Sequence, residues 1–194
     1  MTSLTLDPSS TALVLIDLQR GIASTATQPH AAADVIARAA QLAAGFRKRG
    51  SMVVLVNVDP GPHGVLFPRP IVDRPRPPFD APRDWSEIVP ELNAAESDVR
   101  ITKHQPGAFH GTDLDLQLRR HRVDTIVMGG ISTNVGVEST ARAGYDLGYN
   151  FVFVEDAMAA READLHTFPV TRYFPTIGRV RSAREVLEVL DALG

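Results

Sequence analysis

Asp17 and Lys103 are the two ionisable residues whose positions in the sequence best suit catalysis. Asp17 directly follows the apolar run 11–16, and Lys103 closes the segment 99–103, in which apolar and polar residues alternate. Ligands of open parallel sheets bind at the carboxyl ends of the strands. Partial burial there would raise the pKa of Asp17 and suit it to proton transfer, while Lys103 would orient that carboxylate or bind an anionic substrate. The alternative is structural: Asp17 would cap a neighbouring loop or helix, and Lys103 would be an exposed strand-end lysine.

A glycine-rich turn is the third element that could carry chemistry. The apolar segment 125–128 runs into Gly129-Gly130, and a helix is predicted from about Asn134 to Leu147. The glycines would let the backbone approach a ligand closely, and the first amides of the helix would favour negative charge. The turn lacks the Gly-x-Gly-x-x-Gly pattern of dinucleotide sites and the Gly-Lys-Ser/Thr pattern of phosphate loops. An ordinary strand-to-helix connection is the alternative interpretation.

Three short blocks, in this order along the chain, resemble the isochorismatase-like hydrolase superfamily, most of whose members are cysteine hydrolases with an Asp-Lys-Cys triad. The blocks are Leu15-Ile16-Asp17-Leu18-Gln19, Thr102 to Phe109 with its Lys-x-x-x-Gly-Ala-Phe pattern, and Gly129 to Arg142. The resemblance extends over about residues 11–193. It implies that Asp17 and Lys103 are catalytic and that Gly136 occupies the position of the cysteine. The chain contains no Cys at all, and Asn134 stands where the family usually has an aspartate.

The same resemblance implies where a substrate would be held. It predicts a cis peptide bond between Ile131 and Ser132 and an oxyanion pocket of backbone amides near Ser132 and Gly136. The residues assigned to substrate or oxyanion binding on this basis are Gln19, Phe109, Ile131, Ser132 and Thr133. Phe109 and Trp85 could face a planar substrate, and packing in the core is the alternative for Phe109.

Gly136 excludes the reactions for which this superfamily uses a thiol. The resemblance implies that amide, carbamate and nicotinamide hydrolysis proceed through a thioester, which requires a cysteine thiolate. It also implies that isochorismatases hydrolyse a vinyl ether without that nucleophile, with the aspartate as general acid and the lysine as its electrostatic partner. Asp17 must then be protonated at the key step, so burial has to offset Lys103, and Gly136 would leave room for the enolpyruvyl group. We therefore predict a cysteine-independent hydrolase of a small carboxylated molecule, with isochorismate as the best-defined candidate.

Two alternatives belong to other classes of protein. The chain could be a small-molecule-binding protein or degenerate enzyme that kept the pocket and lost turnover, or it could be a purely structural partner subunit. Retention of both Asp17 and Lys103 favours an enzyme over a structural subunit. It does not separate an enzyme from a binding protein.

Neither a metal nor a cofactor is predicted. Asp59 and His63 follow the second strand four residues apart, where metal-binding nicotinamidases of the superfamily carry ligands, but the rest of such a ligand set is not recognisable. His104 and His110 flank Lys103, and each could line the pocket or be structural. Ser132 lacks the Gly-x-Ser-x-Gly context of a serine nucleophile.

Net charge, apolar runs and the lack of Cys limit the classes of partner and the cellular location that we expect for this protein. The net charge of -3 offers no electrostatic basis for binding nucleic acid or an anionic membrane. No apolar stretch approaches the roughly 18 residues of a membrane span, and the run 12–16 is too short for a signal peptide. The absence of Cys fits a cytoplasmic protein. We expect the partners to be a small-molecule substrate and further copies of the chain, in a dimer or a larger homo-oligomer.

The elements that must position these residues alternate between strands and helices. Strands are predicted, in chain order, at 11–16, 52–56, 99–103, 125–128, 151–154 and 179–181. Helices are predicted at 31–49, at 112–122 with Leu114, Leu116 and Leu118 on the inner side, at 134–147, and after a capping box that begins at Ser182. This alternation predicts one doubly wound, Rossmann-like α/β domain over residues 1–194, in which helices cover both faces of a parallel sheet of about six strands and make three layers.

One segment interrupts the alternation. Residues 60–90 contain nine of the fourteen prolines, including those of Arg76-Pro77-Pro78. Proline removes a backbone donor and restricts the preceding residue, so a long irregular loop is predicted here. A loop of this length would cover a site or pack against a partner subunit, or it would be a passive surface loop.

Overall fold

The computed structural model describes residues 4–74 and 79–192 and contains one six-stranded parallel sheet. The strands are β1 (Thr11–Ile16), β2 (Met52–Val58), β3 (Val99–Lys103), β4 (Thr125–Ile131), β5 (Asn150–Ala159) and β6 (Arg179–Arg181). Their order in the sheet is β3-β2-β1-β4-β5-β6, and every neighbouring pair is parallel. The predicted doubly wound α/β fold is therefore confirmed.

Helices lie on both faces of this sheet. They are α1 (Arg20–Ala23), α2 (Ala32–Lys48), α3 (Leu114–Arg120), α4 (Glu138–Asp146), α5 (Ala163–Phe168), α6 (Phe174–Ile177) and α7 (Ala183–Asp191). β1 shows how the two faces form, because alternate side chains of a strand point to opposite sides. Leu13 and Leu15 join the core that includes α2 and α7, whereas Val14 and Ile16 join the core that includes α3 and α4. Both faces of the strand are buried, which explains why its sequence is continuously apolar.

The chain order of the strands creates a crevice beside β1. From β1 the chain continues to β2 on one side, while β4 lies on the other side. In sheets of this type, ligands bind where the strand order reverses, outside the carboxyl ends of the strands. Gly130 allows β1 and β4 to approach each other at this point. Its φ is 134°, and a Cβ atom there would lie 2.1 Å from the carbonyl oxygen of Ile16. Only glycine fits that position.

Several boundaries differ from the sequence predictions. β4 ends at Ile131 and β5 at Ala159, later than the predicted ends at residues 128 and 154. The predictions stopped where the continuous apolar runs stop, but the strand pairing continues beyond them. Leu114 and Leu118 are buried as predicted, but Leu116 is 49% exposed and the prediction for it is wrong. Residues four apart share one face of a helix, and a residue midway between them points away. The capping box at Ser182 is confirmed, with Glu185 as its partner.

The helix predicted from Asn134 begins differently. A π-helical turn, Thr133–Val137, precedes α4 and carries the backbone from β4 into the helix. The wider turn has no sequence signature in a single chain, because its residues suit an α-helix as well. Single π turns of this kind occur frequently at functional sites.

The Pro-rich loop has little regular structure, as predicted. In its described residues it forms short 3-10 turns at Pro62–Gly64 and Pro90–Leu92. The Arg76-Pro77-Pro78 segment lies outside the described residues.

Within the described residues, none of the helices is both long enough and apolar enough to cross a membrane.

Candidate active site

Asp17 and Lys103 form a buried ion pair at the carboxyl edge of the sheet. Asp17 follows β1, Lys103 ends β3, and the lysine Nζ lies 2.8 Å from Asp17 Oδ2. The two residues are 4% and 1% exposed. Lys103 Nζ also donates to the carbonyl oxygen of Pro106 at 2.6 Å, which fixes the ammonium between two acceptors. The geometry predicted from the two strand ends is thus present.

The second carboxylate oxygen of Asp17 is buried without a partner. Oδ1 accepts no hydrogen bond from the described residues, although nearly all buried polar atoms in folded proteins are paired. Asp17 also has a φ of 56°, a left-handed conformation that is unfavourable for a residue with a side chain and is typical of functional sites. Burial raises the pKa of Asp17 to about 6, against the ammonium of Lys103, which lowers it. The carboxyl group can therefore hold a proton near neutral pH.

The raised pKa of Asp17 predicts a specific pH dependence of stability. The folded pKa of about 6 exceeds the value of 3.8 for an ordinary aspartate, so the native state binds the proton more tightly than the unfolded state. Its contribution is fully present below about pH 4 and is lost as pH rises through about 6. At roughly 1.4 kcal/mol per pKa unit, the loss amounts to about 3 kcal/mol.

Denaturant unfolding of wild type and Asp17→Asn measures this effect, because subtraction cancels the other titrating groups. Wild type should gain about 3 kcal/mol relative to Asp17→Asn as pH falls from 7 to 4. If wild type gained no stability relative to Asp17→Asn, or lost some, as pH fell from 7 to 4, the pKa of Asp17 would not be raised in the folded protein.

Gly136 lies directly against the ion pair. A Cβ atom at this position would lie 2.7 Å from Asp17 Oδ2, 2.8 Å from Ile16 Cγ2 and 3.2 Å from Lys103 Nζ. Gly136 also lines the cavity, so the expectation that it leaves room for a substrate group stays a prediction. Much of the space beside the glycine is taken by the pair itself, and the missing side chain allows the Asp17 carboxylate to approach the backbone.

The turn after β4 forms the adjacent wall. The peptide bond between Ile131 and Ser132 is cis, which confirms that prediction. Ser132 accepts backbone hydrogen bonds from Val135 and Val137 through its carbonyl oxygen. This arrangement brings Ile131, Ser132 and Gly136 to the same cavity as the ion pair.

That cavity has a volume of about 380 Å³, within the range of small-molecule sites. Asp17 and Lys103 form part of its wall. The Pro-rich loop contributes Phe67, Phe79 and Trp85. The ring of Phe79 contacts those of Phe67 and Trp85 edge to face, at centroid distances of 5.6 and 5.1 Å. The described part of the loop therefore lines the site.

Arg161 also lines the cavity, and the sequence analysis missed it. It is exposed and forms no ion pair with any residue that the structure describes. It follows the end of β5, so the same rule that selected Asp17 and Lys103 could have selected it. The late end of β5 concealed that relation, because the apolar run stops at Val154.

Three of the residues assigned to the pocket lie elsewhere. Gln19 is fully buried and joins β2 to the loop, donating to the carbonyl oxygens of Val58 and Trp85 at 3.0 and 3.1 Å. Phe109 stacks on Tyr149 in the core, the alternative left open for it. Thr133 points to His166. Within the described residues none of the three is part of the cavity wall. Their part in substrate or oxyanion binding stays a prediction, because these side-chain contacts do not involve the backbone amides.

The histidines near Lys103 do not line the cavity either. His104 Nδ1 contacts the carbonyl oxygen of Asp59 at 2.7 Å, and His110 is exposed. Asp59 Oδ1 accepts from the backbone amide of Gly61 at 2.8 Å. Across residues 4–74 and 79–192, neither Asp59 nor His63 belongs to a group of three side chains able to hold a metal ion.

Comparison with known proteins identifies the family. Residues 11–185 match the isochorismatase domain family, and the fold is a single α/β domain with a six-stranded parallel sheet. The chain belongs to the isochorismatase family and is an isochorismatase-family hydrolase.

The similarity extends over nearly the whole chain. The isochorismatase family protein YecD of Escherichia coli O157:H7 is 48% identical over 187 residues, which cover 96% of this chain and all of YecD. A solved structure of an isochorismatase family protein from Burkholderia thailandensis is 43% identical and superimposes with a TM-score of 0.93, covering 98% of this chain and 100% of that one. The ureidoacrylate amidohydrolase RutB of Pantoea ananatis is 34% identical over 173 residues, which cover 77% of this chain and 69% of RutB.

Proposed function

We propose that this protein hydrolyses a vinyl ether in a small carboxylated molecule without a cysteine nucleophile, with isochorismate as the model substrate. One observation carries the proposal. Asp17 lines the cavity, and its Oδ1 atom is buried without a hydrogen-bond partner among the described residues. Because Oδ2 is bound to Lys103, Oδ1 is the oxygen that can carry a proton to a ligand. A pKa of about 6 suits that group to general acid catalysis.

The reaction follows from this arrangement. Protonated Asp17 gives its proton to the terminal carbon of the vinyl group, which leaves an oxocarbenium ion. Water adds to that ion and returns a proton to the Asp17 carboxylate, and the resulting hemiketal breaks into pyruvate and an alcohol. Lys103 stabilises the carboxylate that exists between the two proton transfers. Backbone amides near Ser132 and Gly136 are proposed to hold the substrate carboxylate.

The missing thiol separates this proposal from amide hydrolysis, the reaction in RutB's name. The resemblance to the superfamily implies that amide hydrolysis there requires a cysteine thiolate, and this chain has none. Gly136, which we propose as the counterpart of that cysteine, lies against Asp17 and Lys103 in the structure. We therefore propose that the chain belongs to a subgroup of the superfamily that has glycine in place of the nucleophilic cysteine and keeps the aspartate and the lysine.

Arg161 supports a carboxylated substrate, because it is a cation at the cavity that no described residue neutralises. Replacing Arg161 with Gln should raise KM for isochorismate roughly 10- to 100-fold, since a charge-assisted hydrogen bond contributes about 1.5–3 kcal/mol. Steady-state kinetics of pyruvate release provide the measurement.

The matched control is Arg172→Gln, which removes an exposed arginine that is not part of the cavity wall. It should leave KM unchanged. If Arg161→Gln and Arg172→Gln had the same KM as wild type, Arg161 would have no part in binding the carboxylate.

The test of the function is pyruvate release from isochorismate by the purified protein. Release that depends on Asp17 would support vinyl ether hydrolysis. Thermal stabilisation by isochorismate without release would favour the alternative, a binding protein that has lost turnover. If isochorismate gave neither pyruvate release nor thermal stabilisation, it would be excluded as the ligand of this site.

We also propose that the protein is a cytoplasmic homo-oligomer. Four exposed apolar residues of the Pro-rich loop, Val65, Leu66, Ile71 and Val72, would supply contact surface for another copy. Light scattering during size-exclusion chromatography tests the oligomer, and a mass of one chain would contradict it. Cell fractionation tests the location.

A further inference from the structure

Three potential metal ligands converge next to Thr133, the residue that follows Ser132. His30 precedes α2, Glu155 lies in β5, and His166 lies in α5. His30 Nε2 and His166 Nε2 lie 2.8 and 3.3 Å from the same oxygen, Glu155 Oε1. The three ligand atoms all lie within 4.8 Å of one another. His30 and Glu155 are 125 positions apart in the chain, so no local sequence motif predicts the cluster.

The donor set and its dimensions suit a divalent transition metal. Two imidazoles and one carboxylate form the protein ligands of many zinc sites that keep a further coordination position open. Ligands around a tetrahedral ion at about 2.0–2.1 Å are roughly 3.3 Å apart. The observed separations of 2.8 and 3.3 Å are close to that value, so slight widening between His30 and Glu155 would admit an ion.

The surroundings of the cluster orient its members. His166 is almost fully buried, and its Nδ1 lies 2.9 Å from Thr133 Oγ1. Metal-bound histidines typically have such a partner on the other ring nitrogen, because it fixes the ring and the tautomer. The side chains of His30 and Glu155 are 24% and 35% exposed, which leaves a path for an ion from solvent.

We propose that His30, Glu155 and His166 form a binding site for a divalent transition metal ion such as Zn²⁺, separate from the Asp17–Lys103 site. Thr133 connects the two regions, because it follows Ser132 and contacts His166. A bound ion would hold His166 and, through Thr133, the turn beside the cavity. This proposal does not depend on the hydrolytic function, and either can fail without the other.

The test is calorimetric titration of the full chain, cleared of metal with EDTA, with ZnCl₂. Wild type should bind one Zn²⁺ per chain and gain thermal stability. Glu155→Gln and His30→Gln should each weaken binding at least 100-fold, because each removes a ligand. Thr133→Val keeps all three ligands and should weaken binding about 10- to 100-fold, as expected for a residue that orients a ligand.

The matched control is His121→Gln, which removes an exposed histidine outside the cluster and should bind Zn²⁺ as wild type does. Circular dichroism of the metal-free variants establishes that they are folded. Anomalous scattering from a Zn²⁺-soaked wild-type crystal provides a measurement that needs no variant, with the ion expected between the three side chains. Three outcomes would contradict the metal site: no stoichiometric binding by wild type, an ion located elsewhere, or full binding by folded Glu155→Gln. The cluster would then be a hydrogen-bond network without a bound metal.

Discussion

Replacing Asp17 with Asn should lower kcat/KM for isochorismate hydrolysis by about 10²- to 10⁴-fold, the usual contribution of a general acid. The asparagine side chain has nearly the same shape and keeps an oxygen that can accept from Lys103, but it has no acidic proton to transfer. No other described carboxyl group lines the cavity, so none can take over this role. Pyruvate release measured at several pH values provides the test.

The pH profile of wild type provides an internal check on the same assignment. A general acid acts in its protonated form, so kcat/KM should fall about tenfold per pH unit above the pKa of about 6 for Asp17. The residual activity of Asp17→Asn should lack this limb. An active Asp17→Asn protein, or a wild-type rate that rises with pH across this range, would be incompatible with Asp17 as the acid.

Asp59→Asn is the matched control for the charge change. Asp59 follows β2 as Asp17 follows β1, but its Oδ1 accepts from the Gly61 amide and it is not part of the cavity wall. An asparagine can accept the same hydrogen bond. This variant should keep wild-type kcat/KM, so that a loss confined to Asp17→Asn is specific to the cavity carboxyl.

Introducing a cysteine at position 136 should not create a cysteine hydrolase. The new Cβ would meet Asp17 Oδ2 at 2.7 Å and Ile16 Cγ2 at 2.8 Å, and both are held in a buried, packed environment. Overpacking of this kind typically costs about 1–3 kcal/mol. We therefore expect Gly136→Cys to lower the free energy of unfolding by about that amount and to lose at least 10-fold in pyruvate release as the ion pair shifts.

Gly136→Ala and Gly107→Ala separate the clash from the thiol. Gly136→Ala carries the same Cβ without sulfur and should be impaired in the same way. Gly107→Ala adds a methyl group whose nearest contact is the Ser139 carbonyl oxygen at 3.7 Å, an ordinary distance, and it should retain stability and activity. Amide hydrolysis by Gly136→Cys, measured with ureidoacrylate, together with unchanged stability would overturn this picture.

The sequence by itself determined the fold and the two charged residues of the site. Continuously apolar strands between amphipathic helices allow few arrangements, and a parallel doubly wound sheet is the one that buries both faces. Asp17 and Lys103 end two such strands, and the carboxyl ends of parallel strands share one edge. Their proximity was therefore predictable before any distance was known, and the three motif blocks identified the family.

Only the tertiary structure decided how individual side chains are used. Gln19 and Phe109 belong to motif blocks, yet internal hydrogen bonds and ring stacking take them away from the cavity. Arg161 entered the site because β5 extends past its apolar run, and His30, Glu155 and His166 meet although they are far apart in sequence. The physical reason is the same in each case. Local sequence fixes the direction of a strand or helix, whereas the partner of a side chain depends on distant residues that folding brings into contact.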